Sequence, residues 1–348
     1  MTTKIPATVV TGFLGAGKTS SIRNLLENAN GRRIALIINE FGDLRIDGEI
    51  LKGCGIEGCA EEDVVELANG CLCCTVADDF LPTITALLER DSPPDHIVIE
   101  TSGLALPKPL VKAFGWPEVR TRVTVDGVIA LVDGPAVAAG LFAEDPAAVQ
   151  AQREGDDNLD HDSPLAELFE EQVSCADLVV INKADLVPPE AMGAVEAAVR
   201  QELRPGARIL HASHGRLDPA VLLGPSAAAE DDLDSRPSHH EGSDDHDHDD
   251  FDSFAVELPE IAAPAELARR IALLVEAQPV LRVKGFAAVA GRDMRLVLQA
   301  AGPRVSHYFD RDWRADEPRR TRLVVIGLKG LDRAAVEAEL QGEAVPVA

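Results

Sequence analysis

The sequence predicts an α/β fold, a larger domain on a mainly parallel sheet followed by a smaller α+β domain. Three observations carry this expectation. Apolar, β-branched runs alternate with segments of helical periodicity through residues 1–225, as strands joined by crossover helices do. A stretch almost without apolar residues, 226–252, then interrupts the pattern and reads as an acidic, His-rich linker or mobile loop. From residue 253 to 348, further strand-like runs around a helical segment describe the smaller unit.

Taken in order, Ile5–Thr11 reads as the first strand and Lys18–Asn28 as the helix that follows a glycine-rich turn. Ile34–Asn39 is the next strand, Asp63–Leu67 a short one, and His96–Glu100, Val123–Val132, Leu178–Asn182 and Arg208–His211 continue the series. Helical spacing of apolar residues marks Asp78–Glu89, Ser163–Cys175 and Pro189–Glu202. In the smaller unit, Pro264–Ala277 is helical, with strands around Leu281–Val289, Arg295–Gln299, Val305–Phe309 and Arg322–Leu328. The sequence has no internal repeat.

Composition removes several function classes. The chain has 348 residues, 46% hydrophobic and 26% charged, enough for a sizeable core and more than one domain. It has no run of about eighteen uninterrupted apolar residues, and Met1–Thr11 lacks the pattern of a secretory signal, so a cytoplasmic location is expected. The net charge of −26 argues against nucleic-acid and anionic-membrane binding. Most of it is local, because Glu144–Gln172 and Ser226–Asp252 together carry −19. Six cysteines in a reducing compartment point to metal or redox chemistry rather than a disulfide framework.

The segment Gly12-Phe13-Leu14-Gly15-Ala16-Gly17-Lys18-Thr19 satisfies G-x-x-x-x-G-K-S/T between a strand and a helix, which makes the larger domain a P-loop NTPase domain. Gly12, Gly15, Ala16 and Gly17 let backbone N–H groups curl round a phosphate at a positive helix end, with Ser20 in the first helical turn. Lys18 reaches the outer phosphates and Thr19 can ligate Mg²⁺. Glu100-Thr101-Ser102-Gly103 ends another strand, where the Glu100 carboxylate can hold Mg²⁺ and Gly103 allows backbone approach to the γ-phosphate. Lys18 and Glu100 are thus the catalytic candidates. Base identity is read at Asn182-Lys183-Ala184-Asp185, the N-K-x-D element, whose aspartate accepts two guanine donors that adenine lacks; Ser213, in His211-Ala212-Ser213, borders the same pocket. His96, His211, His214 and His307 otherwise read as structural.

The soft donors lie elsewhere. Asn69-Gly70-Cys71-Leu72-Cys73-Cys74 places three thiols within four residues after a turn. In an extended chain Cys71 and Cys73 share a face, whereas in a turn Cys71 and Cys74 converge, and both geometries stay open. Three thiolates leave a tetrahedral ion one ligand short. Glu40, in Asn39-Glu40-Phe41-Gly42, sits on a candidate switch segment and is a candidate fourth ligand. Cys54 and Cys59 lie in a glycine-rich loop, and Cys175 reads as core. In the linker, His239, His240, His246 and His248 either capture divalent ions loosely or merely solubilise the segment.

Together G-F-L-G-A-G-K-T at Gly12–Thr19, N-E-F-G at Asn39–Gly42, N-G-C-L-C-C at Asn69–Cys74, E-T-S-G-L-A at Glu100–Ala105 and N-K-A-D at Asn182–Asp185 resemble the CobW-type metallochaperone GTPases. Arg282-Val283-Lys284-Gly285 and Asp310-Arg311-Asp312-Trp313 are similar to that family's C-terminal domain, so the resemblance spans nearly the whole chain. Cys74–Phe80 looks like the cobalamin-biosynthesis branch. The resemblance implies a GTPase using GTP and Mg²⁺ that binds Co²⁺ in the GTP state and releases it on hydrolysis towards the cobaltochelatase. Zn²⁺ is the competitor, since thiolates generally bind it more tightly than Co²⁺. Zinc delivery, metal storage and a signalling GTPase with structural cysteines are the other readings.

Overall fold

The computed structural model describes residues 4–29, 31–38, 64–66, 80–147, 149, 165–223, 251–314 and 317–342. Two compact units divide the chain, one formed by Lys4–Leu222 and the other within Leu223–Ala348.

The first unit is a seven-stranded sheet of β1 (Ile5–Thr11), β2 (Ile34–Ile38), β3 (Val64–Glu66), β4 (His96–Glu100), β5 (Val123–Asp133), β6 (Leu178–Asn182) and β7 (Arg208–His211), in the order β3-β2-β4-β1-β5-β6-β7. Every pairing is parallel. The crossovers carry α1 (Lys18–Glu27), α2 (Leu81–Leu88), α3 (Pro107–Ala113), α4 (Pro117–Arg120), α5 (Gly134–Ala138), α6 (Leu165–Cys175) and α7 (Pro189–Glu202), and α8 (Pro219–Leu223) follows β7. Val9, Ile37 and Ile99 pack with Ile84 and Leu87 of α2, while Val132, Val179 and Ile181 pack with Leu168 of α6 and Val195 and Val199 of α7. Residues of the opposite parity, Leu36, Val98, Ile129 and Val180, are equally buried. A parallel sheet covered on both faces is what unbroken runs such as Leu178–Asn182 require. Strands β2 to β4 lie on one side of β1 and β5 to β7 on the other, so the loop after β1 leaves the sheet where the strand order changes direction.

The second unit is an antiparallel sheet of β8 (Phe251–Leu258), β9 (Val280–Ala287), β10 (Met294–Ala301), β11 (Arg304–Asp312) and β12 (Thr321–Leu328), ordered β11-β10-β9-β12-β8. Helices α9 (Pro264–Ala277) and α10 (Arg333–Gln341) add Leu267, Ile271, Leu274, Val336 and Leu340 to a core with Val283, Leu298, Leu323 and Val325. Phe251 and Asp252, expected to end the linker at residue 252, instead begin β8 opposite Leu328 and Gly327. The Asp252 carboxylate accepts from Gly330 N at 2.6 Å and Leu331 N at 3.0 Å, a tertiary use that composition does not announce. Arg295 is buried between Asp310 (Nη2–Oδ2 2.6 Å) and Glu317 (Nη1–Oε1 2.9 Å). No helix among the described residues is long and apolar enough to cross a membrane.

Candidate functional site

The turn from β1 to α1 is built for an anion. Gly12, Gly15 and Gly17 all have positive φ, and Gly17 at +95° is left-handed where a Cβ would also collide with the Asn182 amide. Helix α1 has no side-chain cap and no acidic residue in its first turn, so neither competes for its leading N–H groups and positive pole. The mostly buried Lys18 folds back over the loop, its Nζ donating to Gly12 O at 2.8 Å and Phe13 O at 3.2 Å. Ala16 is buried and Ser20 is exposed in the first turn.

The end of β4 is joined to this loop. Thr19 Oγ1 donates to Glu100 Oε1 at 3.2 Å, and Glu100 is 4% exposed. A hydroxyl and a carboxylate so placed are the hard oxygen donors Mg²⁺ prefers. Thr101 donates its N–H to Val10 O at 2.9 Å and its hydroxyl to Thr11 Oγ1 at 3.0 Å, tying the segment back to β1. Gly103 lies against the phosphate loop, where an added Cβ would stand 2.8 Å from Leu14 N. From α6, Gln172 Nε2 donates to Gly103 O at 3.0 Å and Ala105 O at 3.3 Å.

The end of β6 closes the site from the other side. Buried Asn182 donates from Nδ2 to Ala16 O at 2.9 Å and accepts at Oδ1 from Gly215 N at 3.0 Å, so one amide clamps the phosphate loop to the turn after β7. Ala184 N donates to Ala212 O at 3.0 Å, and Ala212 N to Ile181 O at 2.9 Å. Lys183 is left-handed at φ 56°, and its Nζ meets Asp133 Oδ2 at 2.7 Å and Glu144 Oε2 at 2.8 Å. Burial alone would lower the Lys183 pKa, but hydrogen bonds and charge from the two carboxylates raise it. The hydrogen bond from Lys183, with its charge, holds the exposed Glu144 below the usual carboxylate range. Asp185 Oδ2 lies 3.6 Å from His214 Nε2, and Ser213, half-buried, accepts at its carbonyl from Arg216 N at 3.0 Å. Lys183, Glu144, Leu186, Pro135, Ala136, Ala139 and Leu141 line a concavity of about 190 Å³.

Gly12, Gly15, Ala16, Gly17, Lys18, Thr19, Glu100, Gly103 and Asn182 are therefore brought together at one edge of the sheet, with Lys183 and Asp185 continuing from Asn182. Glu40, Cys71, Cys73, Cys74, His239, His240, His246 and His248 lie outside the described residues. Among the described residues no group of three or more His, Cys, Asp and Glu could hold a metal ion. Ile38 pairs with both Glu100 and Glu66, so β2 and β3 end level with the end of β4. Cys175 packs against the core as expected, and His96 is buried with its Nε2 2.8 Å from Thr8 Oγ1. Sequence reasoning missed Asp133, Glu144, Gln172 and Gly215, and it read His214 as structural. Only Asp133 carried a local signal, an acid before Gly-Pro at a helix start, and that signal speaks of a cap.

Residues 6–211 match the family model of the CobW/HypB/UreG nucleotide-binding domain, and residues 251–343 match that of the cobalamin synthesis protein cobW C-terminal domain. The chain is 57% identical over 341 residues to a protein of a Sinorhizobium species named zinc chaperone CobW, covering 97% of this chain and 96% of the relative. A protein of the same name from Pseudomonas aeruginosa is 57% identical over 350 residues, covering 97% and 91%. Zinc chaperone YjiA of Escherichia coli is 31% identical over 334 residues, covering 93% and 94%.

Proposed function

The chain belongs to the CobW/HypB/UreG family of P-loop GTPases, and from that premise we propose a metallochaperone cycle in which the Mg-GTP state holds a divalent ion and hydrolysis releases it. The observation that carries the nucleotide half is the Asn182 clamp, in which one buried hydrogen bond ties the N-K-x-D element to the phosphate loop at Ala16 and a second ties it to the turn after β7 at Gly215. Gly12, Gly15, Ala16, Gly17 and Ser20 cradle the phosphates and Lys18 neutralises them. Asp185 reads the guanine edge, with Lys183 and Ser213 beside it. Thr19 and Glu100 are the residues that would hold Mg²⁺, which supplies charge neutralisation at the reacting phosphates.

The cargo site in this reading is Cys71, Cys73 and Cys74 with Glu40. Zinc is the cargo the reading favours. Thiolates hold Zn²⁺ more tightly than Co²⁺, and the two relatives at 57% identity are named zinc chaperones. Cobalt delivery to the cobaltochelatase is the second reading, favoured by the C-terminal match to a cobalamin synthesis domain. The level strand ends at Ile38, Glu66 and Glu100 support coupling, because the sequence carrying Glu40 follows the strand next to that of Glu100 and the cysteines follow the strand beyond it. Competitive titration with Zn²⁺ and Co²⁺, with Mg-GTP and with Mg-GDP, tests both halves. Metal affinity about five- to 150-fold higher with Mg-GTP is the expected result. Equal affinity in the two nucleotide states would refute the gated cycle, and a Co²⁺ preference under competition would replace zinc by cobalt.

A further inference from the structure

We infer that Asp133 is a positioning residue for base selection, acting through Lys183; this rests on the reading that Asn182–Asp185 selects guanine. Asp133 ends β5, and the sheet register sets it directly opposite Asn182, so its carboxylate stands beside the residue that follows. The side chain is fully buried. Its Oδ1 accepts from Ala136 N at 3.0 Å and caps α5, while Oδ2 takes the Lys183 ammonium at 2.7 Å.

The cap alone does not call for a buried charge. A serine or asparagine caps a helix as well as an aspartate does, and α5 runs only from Gly134 to Ala138. Burying a carboxylate is costly unless it is paired, and its partner here is the lysine of the N-K-x-D element. That lysine also has a left-handed backbone, a conformation that persists only where its surroundings enforce it. Glu144 binds the same ammonium from an exposed position, where an ion pair contributes little. With its charge occupied by two carboxylates, Lys183 serves by its stem, which forms one wall of the apolar concavity with Leu186, Pro135 and Ala136. Asp133 thus fixes Lys183, whose backbone leads on to Asp185, and base selection depends on it without contact between Asp133 and nucleotide.

Asp133→Asn keeps an acceptor for Ala136 N but removes the anion from Lys183. In the full-length protein it should raise KM for GTP about tenfold and reduce the preference for GTP over ITP, while kcat stays within twofold. The same substitution in a Lys183→Met background should change neither quantity further, since its partner is already gone. Asp133→Ser, which also keeps a cap acceptor, replaces it if the asparagine variant does not fold. A wild-type protein without preference for GTP over ATP would refute the guanine reading beneath this inference. A guanine-selective wild type, with variant KM unchanged or with equal losses in both backgrounds, would refute the role of Asp133 alone.

Discussion

Asn182 offers the sharpest test of how the nucleotide site is held together. Its amide is 2% exposed and makes two hydrogen bonds to backbone groups of different segments, Ala16 O at 2.9 Å and Gly215 N at 3.0 Å. Replacing it with alanine removes both bonds and leaves a buried carbonyl and a buried N–H without partners. At about 1 kcal/mol per bond, with part of the desolvation cost added, the loss should be about 2–3 kcal/mol. For a domain of roughly 200 residues that is a fall in melting temperature of about 4–12 °C. Asn182→Asp should be worse for the loop, because a carboxylate oxygen then faces the Ala16 carbonyl. Circular dichroism melts give the stability, and titration with a fluorescent GTP analogue gives the affinity, expected to fall at least about tenfold as the loop and the base sensor separate. A variant melting within a degree or two of wild type, with GTP affinity unchanged, would show that the clamp does not organise the site.

Asp185→Asn should weaken GTP binding by about 1–3 kcal/mol and shift selection towards xanthosine triphosphate, since one acceptor becomes a donor; unaltered GTP affinity would remove Asp185 from the base pocket. Gly103→Ala would bring a methyl to 2.8 Å from Leu14 N, displacing the phosphate loop. GTP turnover should drop with a stability cost of about 1–3 kcal/mol, and wild-type turnover would show that the contact does not matter. Glu317 provides a pH test. Burial alone would raise its pKa, but the hydrogen bond from Arg311, the Arg314 N–H and the charges of Arg295 and Arg311 pull it down to about 2 from the ordinary 4.5. A depressed folded-state pKa contributes stability above the unfolded value that is lost as pH falls from 4.5 towards about 2. Glu317→Gln should therefore flatten the acid limb of a stability profile across that window, and an unchanged slope would count against the network.

What the sequence disclosed follows from what local pattern can carry. Leu178–Asn182, Arg208–His211, Pro189–Glu202 and Pro264–Ala277 begin and end where the apolar pattern places them, because buried parallel strands and amphipathic helices announce themselves in their own residues. Helix α10 was not read, although Asp332 caps it by accepting from Ala335 N at 3.1 Å and Gly342 ends it left-handed at φ 78°. Its Ala- and Glu-rich face carries few large apolar residues, so periodicity is weak and the caps are the better signal. The phosphate loop and N-K-x-D element were legible as motifs, but their junction was not. Asn182 reaches Ala16 and Gly215 across the fold, and Asp133 reaches Lys183 across a strand pair. Such contacts are set by register, which no window of neighbouring residues contains.

The same register bears on how a nucleotide signal would leave the site. In the proposed cycle GTP and GDP would present the same base to Asp185 and the same inner phosphate to Gly12–Thr19, so the Asn182 clamp would be satisfied by either. Discrimination would then come from groups near the γ-phosphate, and those proposed for that place among the described residues are Lys18, Glu100 and Gly103. Gly103 is held from α6 by Gln172 and packed on Leu14, which leaves it little room to move. Glu100 differs, because β4 lies between β1 and β2, pairing with Val10 on one side and Ile38 on the other. Glu40 follows Ile38 by two residues, and the cysteine segment follows Glu66, itself paired with Ile38. A shift at Glu100 is thus one strand from Ile38 and two strands from Glu66, and in the proposed cycle linkage requires metal binding to act back along the same route. Glu100→Gln should then reduce the difference in metal affinity between the GTP and GDP states as well as hydrolysis. Loss of hydrolysis with the metal difference intact would place the coupling elsewhere.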